Sequence, residues 1–227
     1  MFHDREDAAR KLAATLQEFK SRNSLVLAIP RGGVVTGAVL ARELGGDLDV
    51  VLSRKLRAPD QPELAIGAIS EDGKVHLNRG TVEALGVTEE YLEQEQRHQL
   101  SEIARRKKLF RSVRPETPAT GRTVIVTDDG IATGSTMMAA LQTIRAQQPQ
   151  ELVVAVPVAP FDRLPEFEER CDKLVCLHSP TEFWAVGQFY ENFQTVEDEE
   201  VLELLKRFSP PAEAVRGPRD RSTSAAS

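Results

Sequence analysis

An apolar run that ends in two adjacent carboxylates places the strongest constraint on how this chain can fold. Residues 124–126 read Val-Ile-Val, Asp128 and Asp129 follow, and a loop of small and hydroxyl residues then runs to Thr136. The stretch over 136–147 has the pattern of a helix. A strand, a glycine-containing turn and a helix in this order are typical of strand–helix units in α/β proteins. We therefore expect polar groups to gather where this strand ends.

The groups at this strand end can bind a phosphorylated sugar. The carboxylates of Asp128 and Asp129 can accept hydrogen bonds from a sugar diol. Backbone N–H groups of the loop can converge on a phosphate, where the start of a helix adds partial positive charge. These N–H groups belong to Thr133, Gly134, Ser135 and Thr136. A diol beside a phosphate describes ribose 5-phosphate; the alternative is an ordinary turn in which an aspartate caps the helix.

The stretch over 124–136 resembles the phosphoribosyl-pyrophosphate signature of the type I phosphoribosyltransferases. That signature consists of hydrophobic residues, two acids, two further positions, a small residue, Thr-Gly and a hydroxyl residue. The residues after the two acids are Gly130, Ile131, Ala132, Thr133, Gly134 and Ser135. Gly130 departs from the pattern, because a branched or small aliphatic residue is usual there, and this affects backbone freedom rather than chemistry. The resemblance implies that residues 130–136 bind phosphoribosyl pyrophosphate.

A second glycine loop follows an earlier apolar run at 25–29. It reads Pro30-Arg31-Gly32-Gly33 and opens a helical stretch that reaches Leu44. Arg31 is a permanent cation, and the two glycines let backbone N–H groups approach a phosphate closely. Residues 30–45 are similar to the pyrophosphate loop and following helix of bacterial xanthine-guanine phosphoribosyltransferases. A plain turn is the alternative, but its position at a strand end favours pyrophosphate binding by Arg31, Gly32 and Gly33.

Arg54 and Lys55 follow a further predicted strand at 50–53. They look like the Arg-Lys pair that orotate and adenine phosphoribosyltransferases place near the pyrophosphate, which implies that both bind substrate and that Lys55 assists catalysis. The next segment, residues 57–64, contains two prolines and is expected to be either a lid that excludes water or a plain surface loop. Within it, Glu63 or Asp60 is the candidate base for the proton of the acceptor, with Glu63 preferred.

Five aromatic residues fall within eleven positions near the end of the sequence. They are Phe183, Trp184, Phe189, Tyr190 and Phe193. In type I enzymes the region after the core sheet contributes to a small hood that holds the acceptor base, and aromatic faces stack well on bases. Trp184 or Phe183 is therefore a candidate base platform. The alternative, in which the aromatics only form the core of the hood, is slightly favoured.

The identity of the acceptor stays open. Enzymes for six-oxopurines generally carry an aspartate in the phosphate loop, where this chain has Ala132. Alanine is usual there in adenine, uracil and orotate enzymes. The loop at Arg31 thus points towards xanthine-guanine enzymes, and the loop at Ala132 points away from them.

Composition limits the partners and the compartment. The 227 residues carry a net charge of −6, and 41% are hydrophobic and 28% charged, as in soluble globular proteins. The charge balance disfavours a nucleic-acid partner, and no apolar run approaches the roughly 20 residues that span a bilayer. The charged N-terminus has no pattern of a signal peptide. Cys171 and Cys176 lack metal-site spacing and are expected to be reduced thiols. We expect a cytoplasmic protein.

One basic cluster argues the other way. It consists of Arg105, Arg106, Lys107, Lys108, Arg111 and Arg114. The cluster closes a long helical stretch over 88–111 that opens with glutamates, and this charge order suits a helix dipole. We interpret it as a solvated helix end rather than a polyanion site.

Strands that alternate with helices predict an α/β fold with a mainly parallel central sheet flanked by helices. Together with the resemblance, this indicates a type I phosphoribosyltransferase-like domain over residues 1–208. Its core would span about 21–178, and a small hood would form from 1–20 and 179–208. Residues 209–227 are rich in Pro, Arg, Ser and Ala and are predicted to be a disordered tail.

These observations predict a phosphoribosyltransferase that moves ribose 5-phosphate from phosphoribosyl pyrophosphate to a nitrogenous base and releases pyrophosphate. Asp128 and Asp129 would position Mg²⁺ mostly through its waters, and Arg31 and Lys55 would offset charge on pyrophosphate. The resemblance implies a homodimer. The alternative function is a regulator that senses phosphoribosyl pyrophosphate or a nucleotide without chemistry. A hydrolase of phosphoribosyl pyrophosphate ranks third.

Overall fold

The computed structural model describes residues 1–208, except for the side chain of Glu63. The helices are α1 (Arg5–Thr15), α2 (Gly32–Leu44), α3 (Arg79–Ala84), α4 (Glu89–Arg111), α5 (Ser135–Arg145), α6 (Leu164–Glu168) and α7 (Asp198–Phe208). The strands are β1 (Leu25–Ala28), β2 (Asp47–Val50), β3 (Ser53–Ala58), β4 (Gln61–Ser70), β5 (Val75–Leu77), β6 (Thr123–Thr127), β7 (Glu151–Val158) and β8 (Lys173–His178). The predicted tail at 209–227 lies outside the described residues.

A five-stranded parallel sheet forms the centre of the molecule, with strand order β2-β1-β6-β7-β8. The three inner strands β1, β6 and β7 are mostly apolar, because both faces of the sheet are covered. In β1, Leu25 and Leu27 enter one core, whereas Val26 and Ala28 enter the other, as the two-residue period of a strand requires. The predicted α/β fold with a mainly parallel sheet is confirmed.

Helices cover the two faces of this sheet. On one face α1 and α2 pack together, α1 also contacts β7 and β8, and α7 packs against α2 and β2. On the other face, Met137, Leu141 and Ile144 of α5 pack with Phe167 of α6 over the central strands.

The register of the sheet decides where the two glycine loops meet. Ala28, the last residue of β1, lies opposite Thr127, the last residue of β6. Because parallel neighbours end at the same edge, the loop after β1 and the loop after β6 leave the sheet side by side. This edge is where open α/β sheets bind ligands.

A second, antiparallel sheet of three strands, with order β3-β4-β5, stands beside the first. The residues at 64–69 and 74–77, on either side of Glu71-Asp72-Gly73, predict a hairpin, and the pairing of β4 with β5 confirms it. The strand predicted at 50–53 is wrong, because β2 ends at Val50 and Ser53 opens β3. Arg54 and Lys55 therefore lie inside a strand rather than at its end. Residues 57–64 form no loop, since they belong to the β3–β4 hairpin around a two-residue turn.

The first residues of the chain contact the segment after β8. Phe2 forms a β-bridge with Tyr190, the Phe2 N–H donates to Phe189, and the Glu191 N–H donates to Phe2. The segments assigned to a hood thus do touch. α1 itself packs on the sheet, so the boundaries of the hood at 1–20 and 179–208 stay a prediction.

A buried carboxylate helps to bind the long helix α4 to the second sheet. Glu95 accepts hydrogen bonds from the guanidinium of Arg57 at 2.8 and 3.0 Å, from the Arg57 backbone N–H at 3.0 Å and from Gln99 at 2.8 Å. Burial alone would raise the pKa of Glu95, but these donors hold it below its usual value.

Across residues 1–208, α4 included, no helix is both long and apolar enough to span a membrane.

We predict that Glu95→Gln lowers the free energy of unfolding by about 2 kcal/mol, because it breaks a buried charge-assisted pair. Glu93→Gln is the matched control on the same helix, since the Glu93–Arg97 pair is solvent-exposed and should contribute less than about 0.5 kcal/mol. Urea unfolding at neutral pH measures both. The pKa of Glu95 is lowered by folding, so its contribution is present at neutral pH and lost as the pH falls through the folded-state value. A difference between wild type and Glu95→Gln that persisted in acid would contradict this assignment.

Candidate active site

The acid pair lies directly after β6, with both side chains largely withdrawn from solvent. The Asp129 N–H donates to Oδ1 of Asp128 at 2.8 Å. Burial, and then the charge of Asp129, raise the pKa of Asp128 well above its usual value. Burial also raises the pKa of Asp129, although Arg5 opposes the shift. Two adjacent buried carboxylates are costly without a cation.

Arg5 supplies that cation from the start of α1. Its Nε donates to Oδ2 of Asp129 at 2.7 Å, and both side chains are nearly buried. A second nitrogen of Arg5 donates to the Gln194 carbonyl, and the guanidinium lies 3.8 Å from the centre of the Phe193 ring. The Asp4 side chain caps α1 and so sets Arg5 as its first residue. Sequence reasoning missed Arg5, because nothing in the charged N-terminus signals a partner 124 positions away.

Tyr190 holds the backbone of the acid pair. Its hydroxyl donates to the carbonyl of Asp129 at 2.6 Å, and burial raises the pKa of the phenol. The residue belongs to the aromatic group that the sequence assigned either to a base platform or to a core. Its ring stacks with that of Phe193 at 4.9 Å and lies near Phe2. For Tyr190 and Phe193 the core interpretation is the better description.

The glycine loop after β1 lies against the acid pair. A side chain on Gly33 would come within 2.8 Å of Cα and Oδ1 of Asp128, and one on Gly32 would overlap the carboxylate of Asp129. Both glycines are therefore required by close approach. The two loops that the sequence assigned to one site are in contact. Arg31 lies at the same loop and donates to Glu197, just before α7, at 2.9 Å.

The phosphate loop is shaped by Gly134, which has a left-handed backbone with φ of 78° and caps α5. A β-carbon there would overlap the ring of Phe167. Thr133 at the loop is exposed, and Ser135 and Thr136 are half-buried, so their polar groups are accessible to a ligand. The first helical turn has backbone N–H groups without intrahelical partners. These features suit an anion.

The two residues before Ala132 explain the departure from the family pattern. Ile131 is buried, and its N–H donates to the Val158 carbonyl at 2.8 Å. A side chain on Gly130 would come within 2.6 Å of Val186 and 2.9 Å of Val158. Val186 comes from the segment after β8 and fills the space that a side chain at 130 would take.

A cavity of about 260 Å³ opens beside the acid pair, and we name it the Asp128 cavity. Among its lining residues are Pro30, Arg54, Lys55, Arg106, Asp128 and Thr136. Ser53 ties the second sheet to this site, because its hydroxyl donates to the Thr136 carbonyl at 3.0 Å. Arg54 donates to Gln99 at 2.5 Å, and burial lowers its pKa. The structure thus brings Arg54 and Lys55 to the acid pair.

The basic cluster of α4 is not a solvated helix end throughout. Arg106 is half-buried and lines the Asp128 cavity. Arg111 donates to the buried Asp49 at 2.5 Å, and Arg114 is only 5% exposed. The expectation is therefore wrong for these three arginines. Charge order along a helix does not reveal which face meets a neighbour.

A larger cavity of about 730 Å³ borders the other side chains of the phosphate loop. Thr133 and Ser135 line it together with β5, Gln96, Arg79 and Arg163. It contains no carboxylate of the acid pair. For chemistry at a ribose, we favour the smaller Asp128 cavity, because there a carboxylate and several cations meet.

Two other predicted residues are not gathered at the acid pair by any described contact. Trp184 is 88% exposed, and its backbone N–H donates to the side chain of Gln188. The side chain of Glu63 lies outside the described part of the chain, and its backbone belongs to β4. The roles of both residues stay predictions.

The donor set at the acid pair fits a magnesium ion. Mg²⁺ prefers oxygen ligands and retains several waters, so one or two carboxylates suffice when substrate oxygens complete its shell. Asp128 and Asp129 offer these oxygens at one point. In residues 1–208 no group of three or more His, Cys, Asp or Glu side chains could enclose a metal.

Comparisons with known proteins agree with this geometry. The family model described as the phosphoribosyl transferase domain matches residues 2–194. Two Mycobacterium tuberculosis proteins, from strains CDC 1551 and H37Rv and provisionally named phosphoribosyl transferases, are 44% identical over 207 residues, which is 91% of this chain. The crystal structure of TT1426 from Thermus thermophilus is 40% identical and has a TM-score of 0.78, covering 92% of this chain and 99% of that one. These matches confirm the resemblance and the type I phosphoribosyltransferase-like fold.

The chain spans about half the length of the curated relatives it matches, since 47% of each is covered. The names of those relatives describe longer proteins.

We predict that Gly134→Ala costs about 1–2 kcal/mol more unfolding free energy than Gly45→Ala, because a side chain at 134 overlaps Phe167 in addition to the backbone strain. Gly45 is the matched control, since its φ is 67° and a β-carbon there meets nothing within 4 Å. Urea unfolding measures both. In a Phe167→Leu background the excess cost should shrink. Equal costs in the two alanine variants would show that Phe167 does not restrict this loop.

Proposed function

Because the chain belongs to the phosphoribosyl transferase family, we propose that it transfers ribose 5-phosphate from phosphoribosyl pyrophosphate to a nitrogenous base and releases pyrophosphate. One observation carries this proposal: the acid pair, the glycine loop and a cation-lined cavity converge at one edge of the parallel sheet. A place in nucleotide metabolism, a cytoplasmic location and a homodimer are further proposals that rest on resemblance and composition.

The 5-phosphate would bind at the phosphate loop. The backbone N–H groups of residues 133–136 and the hydroxyls of Thr133, Ser135 and Thr136 are suitable donors, and the N-terminus of α5 adds partial positive charge. Fixing the phosphate there fixes C1 of the ribose relative to the acid pair. Such positioning removes much of the entropic barrier of a two-substrate reaction.

The acid pair would accept hydrogen bonds from the two ribose hydroxyls. Asp128 and Asp129 would also hold Mg²⁺, mostly through water, and the ion when bound would neutralise phosphate charge. As the bond between C1 and the pyrophosphate oxygen breaks, its electron pair leaves with pyrophosphate and positive charge develops on the ribose. Two adjacent carboxylates stabilise that charge, and Arg5 offsets part of their mutual repulsion when no substrate is present.

The leaving pyrophosphate would be stabilised by cations at the Asp128 cavity. Arg54 and Lys55, which line the cavity, are proposed to bind it, together with Arg31 and the backbone of Gly32 and Gly33 in the neighbouring glycine loop. The acceptor nitrogen then forms its bond to C1 with its lone pair and loses a proton. Glu63 is the proposed base for that proton.

We predict that Asp128→Asn and Asp129→Asn each weaken binding of phosphoribosyl pyrophosphate with Mg²⁺ by about ten- to a hundredfold, the effect of a lost charge-assisted hydrogen bond. Isothermal titration calorimetry measures the affinity. Asp162→Asn is the control, because that carboxylate is exposed. Wild-type affinity in both acid-pair variants would refute the diol assignment. Tight binding by wild type without turnover of any base would instead favour the ligand-sensing regulator.

We predict that adenine, uracil or orotate is turned over more efficiently than guanine, hypoxanthine or xanthine, since the loop has Ala132 in place of an aspartate. The assay measures pyrophosphate and nucleotide formation across this panel.

If Trp184 stacks on the base, Trp184→Ala should raise the acceptor KM by about five- to a hundredfold and leave the KM for phosphoribosyl pyrophosphate unchanged. Phe161→Ala, at another exposed aromatic, is the control. An unchanged acceptor KM in Trp184→Ala would contradict the stacking role of Trp184. Efficient use of guanine by the wild type would contradict the base preference inferred from Ala132.

A further inference from the structure

Arg106 is a half-buried cation with an incomplete set of partners. It lies in the last third of α4 and lines the Asp128 cavity together with Asp128 and Thr136. Within residues 1–208, its buried Nε has no hydrogen-bond partner. A buried donor without an acceptor costs free energy that a water or a ligand would offset. Arg111 and Arg114 also have such an Nε, but their other nitrogens donate to Asp49 and Asp47.

Three neighbouring arginines differ from Arg106 because each forms an ion pair with a carboxylate. Arg31 donates to Glu197, Arg57 donates to Glu95, and Arg105 pairs with Asp198 and Glu102. Arg54 donates to the neutral amide of Gln99. Among the described contacts, Arg54 and Arg106 are therefore the arginines of this cavity that have no carboxylate partner, and Lys55 also lines the cavity.

The charges around Arg106 also favour an incoming anion. Burial lowers the pKa of Arg106, as does the repulsion of its charge by Arg54, Arg31 and Arg105, whereas Asp198 attracts it. Holding two guanidiniums together in partial burial costs free energy that a bound multiply charged anion would offset. Guanidinium groups match the oxygens of phosphates in particular.

We propose that Arg106, acting with Arg54, binds the diphosphate group of phosphoribosyl pyrophosphate. This deepens the proposed function and rests on it. The residue comes from α4, a helix outside the two loops that carry the sequence signatures. The diphosphate would thus be held between the glycine loop after β1 and the inward face of α4.

Arg105 provides a matched control one position away. Successive residues on a helix are rotated by about 100°, and Arg105 faces α7, where it pairs with Asp198. The two variants Arg106→Gln and Arg105→Gln remove the same charge from the same helix turn. They differ in whether the side chain lines the cavity.

The experiment measures Kd for inorganic pyrophosphate with Mg²⁺ and, separately, for ribose 5-phosphate, using the full chain. Arg106→Gln should raise the Kd for pyrophosphate by about tenfold or more. It should change the Kd for ribose 5-phosphate by no more than about twofold. Arg106→Lys should bind pyrophosphate with intermediate affinity, because an ammonium group keeps the charge but cannot donate the paired hydrogen bonds of a guanidinium. Arg105→Gln should change neither ligand by more than about twofold.

Thermal unfolding of the free protein separates binding from structure. Since Arg106 has an unpartnered nitrogen and like-charged neighbours, Arg106→Gln should unfold at the wild-type Tm or above it. Added pyrophosphate should raise this Tm less than it raises that of wild type. A lower Tm with loss of both ligands would assign Arg106 a structural role and overturn the proposal.

The remaining outcomes distinguish the two levels of inference. Unchanged pyrophosphate affinity in Arg106→Gln, with normal binding by wild type, overturns the role of Arg106 and leaves the proposed function intact. An equal loss in Arg105→Gln also overturns it, because the effect would then be one of net charge. Failure of wild type to bind either ligand removes the proposed function and this inference with it.

Discussion

The contact between the glycine loop after β1 and the acid pair after β6 supports the rest of the site. It exists because β1 and β6 are parallel neighbours in register, and because Gly32 and Gly33 have no side chains to separate the two loops. The contact withdraws two carboxylates from water. Their burial requires compensating charge, which Arg5 supplies here and which a cation or ribose hydroxyls would supply in a complex.

Acids and cations from several different elements meet at this edge of the sheet. The acid pair lies at the carboxyl end of the sheet, and the cations come from α1, β3, α4 and the loop after β1. The N-terminus of α7 brings Glu197 and Asp198 to two of these cations. The proposed substrate, with hydroxyls on its sugar and anionic groups at both ends, would find partners for each of these parts here. α4 and the start of α7 therefore place charged side chains around the site.

Local patterns predicted the elements where one short stretch contains the whole signal. The strand–loop–helix units at residues 25–44 and 124–147 were anticipated from the order of their residues. In each, an apolar run is followed by a glycine-containing loop and then by apolar residues at helical spacing. The hairpin of β4 and β5 was found for the same reason. The strand at 50–53 was misplaced, because an Arg-Lys pair inside β3 reads like a strand end. The burial of Arg106, Arg111 and Arg114 was missed, since charge favours solvent unless a partner from another element is known.

The sequence by itself determined the family, the parallel sheet and the two loops, because these depend on neighbours within about a dozen residues. Only the tertiary structure decided which distant groups complete the site. Arg5 reaches Asp129 and Tyr190 its carbonyl, Val186 fills the space beside Gly130, and α4 turns Arg106 towards the Asp128 cavity. Each of these contacts joins residues that are far apart in the chain. The free energy that each contact contributes depends on how deeply its groups are buried and on the charges around them. Burial and surrounding charge are set only when the chain has folded.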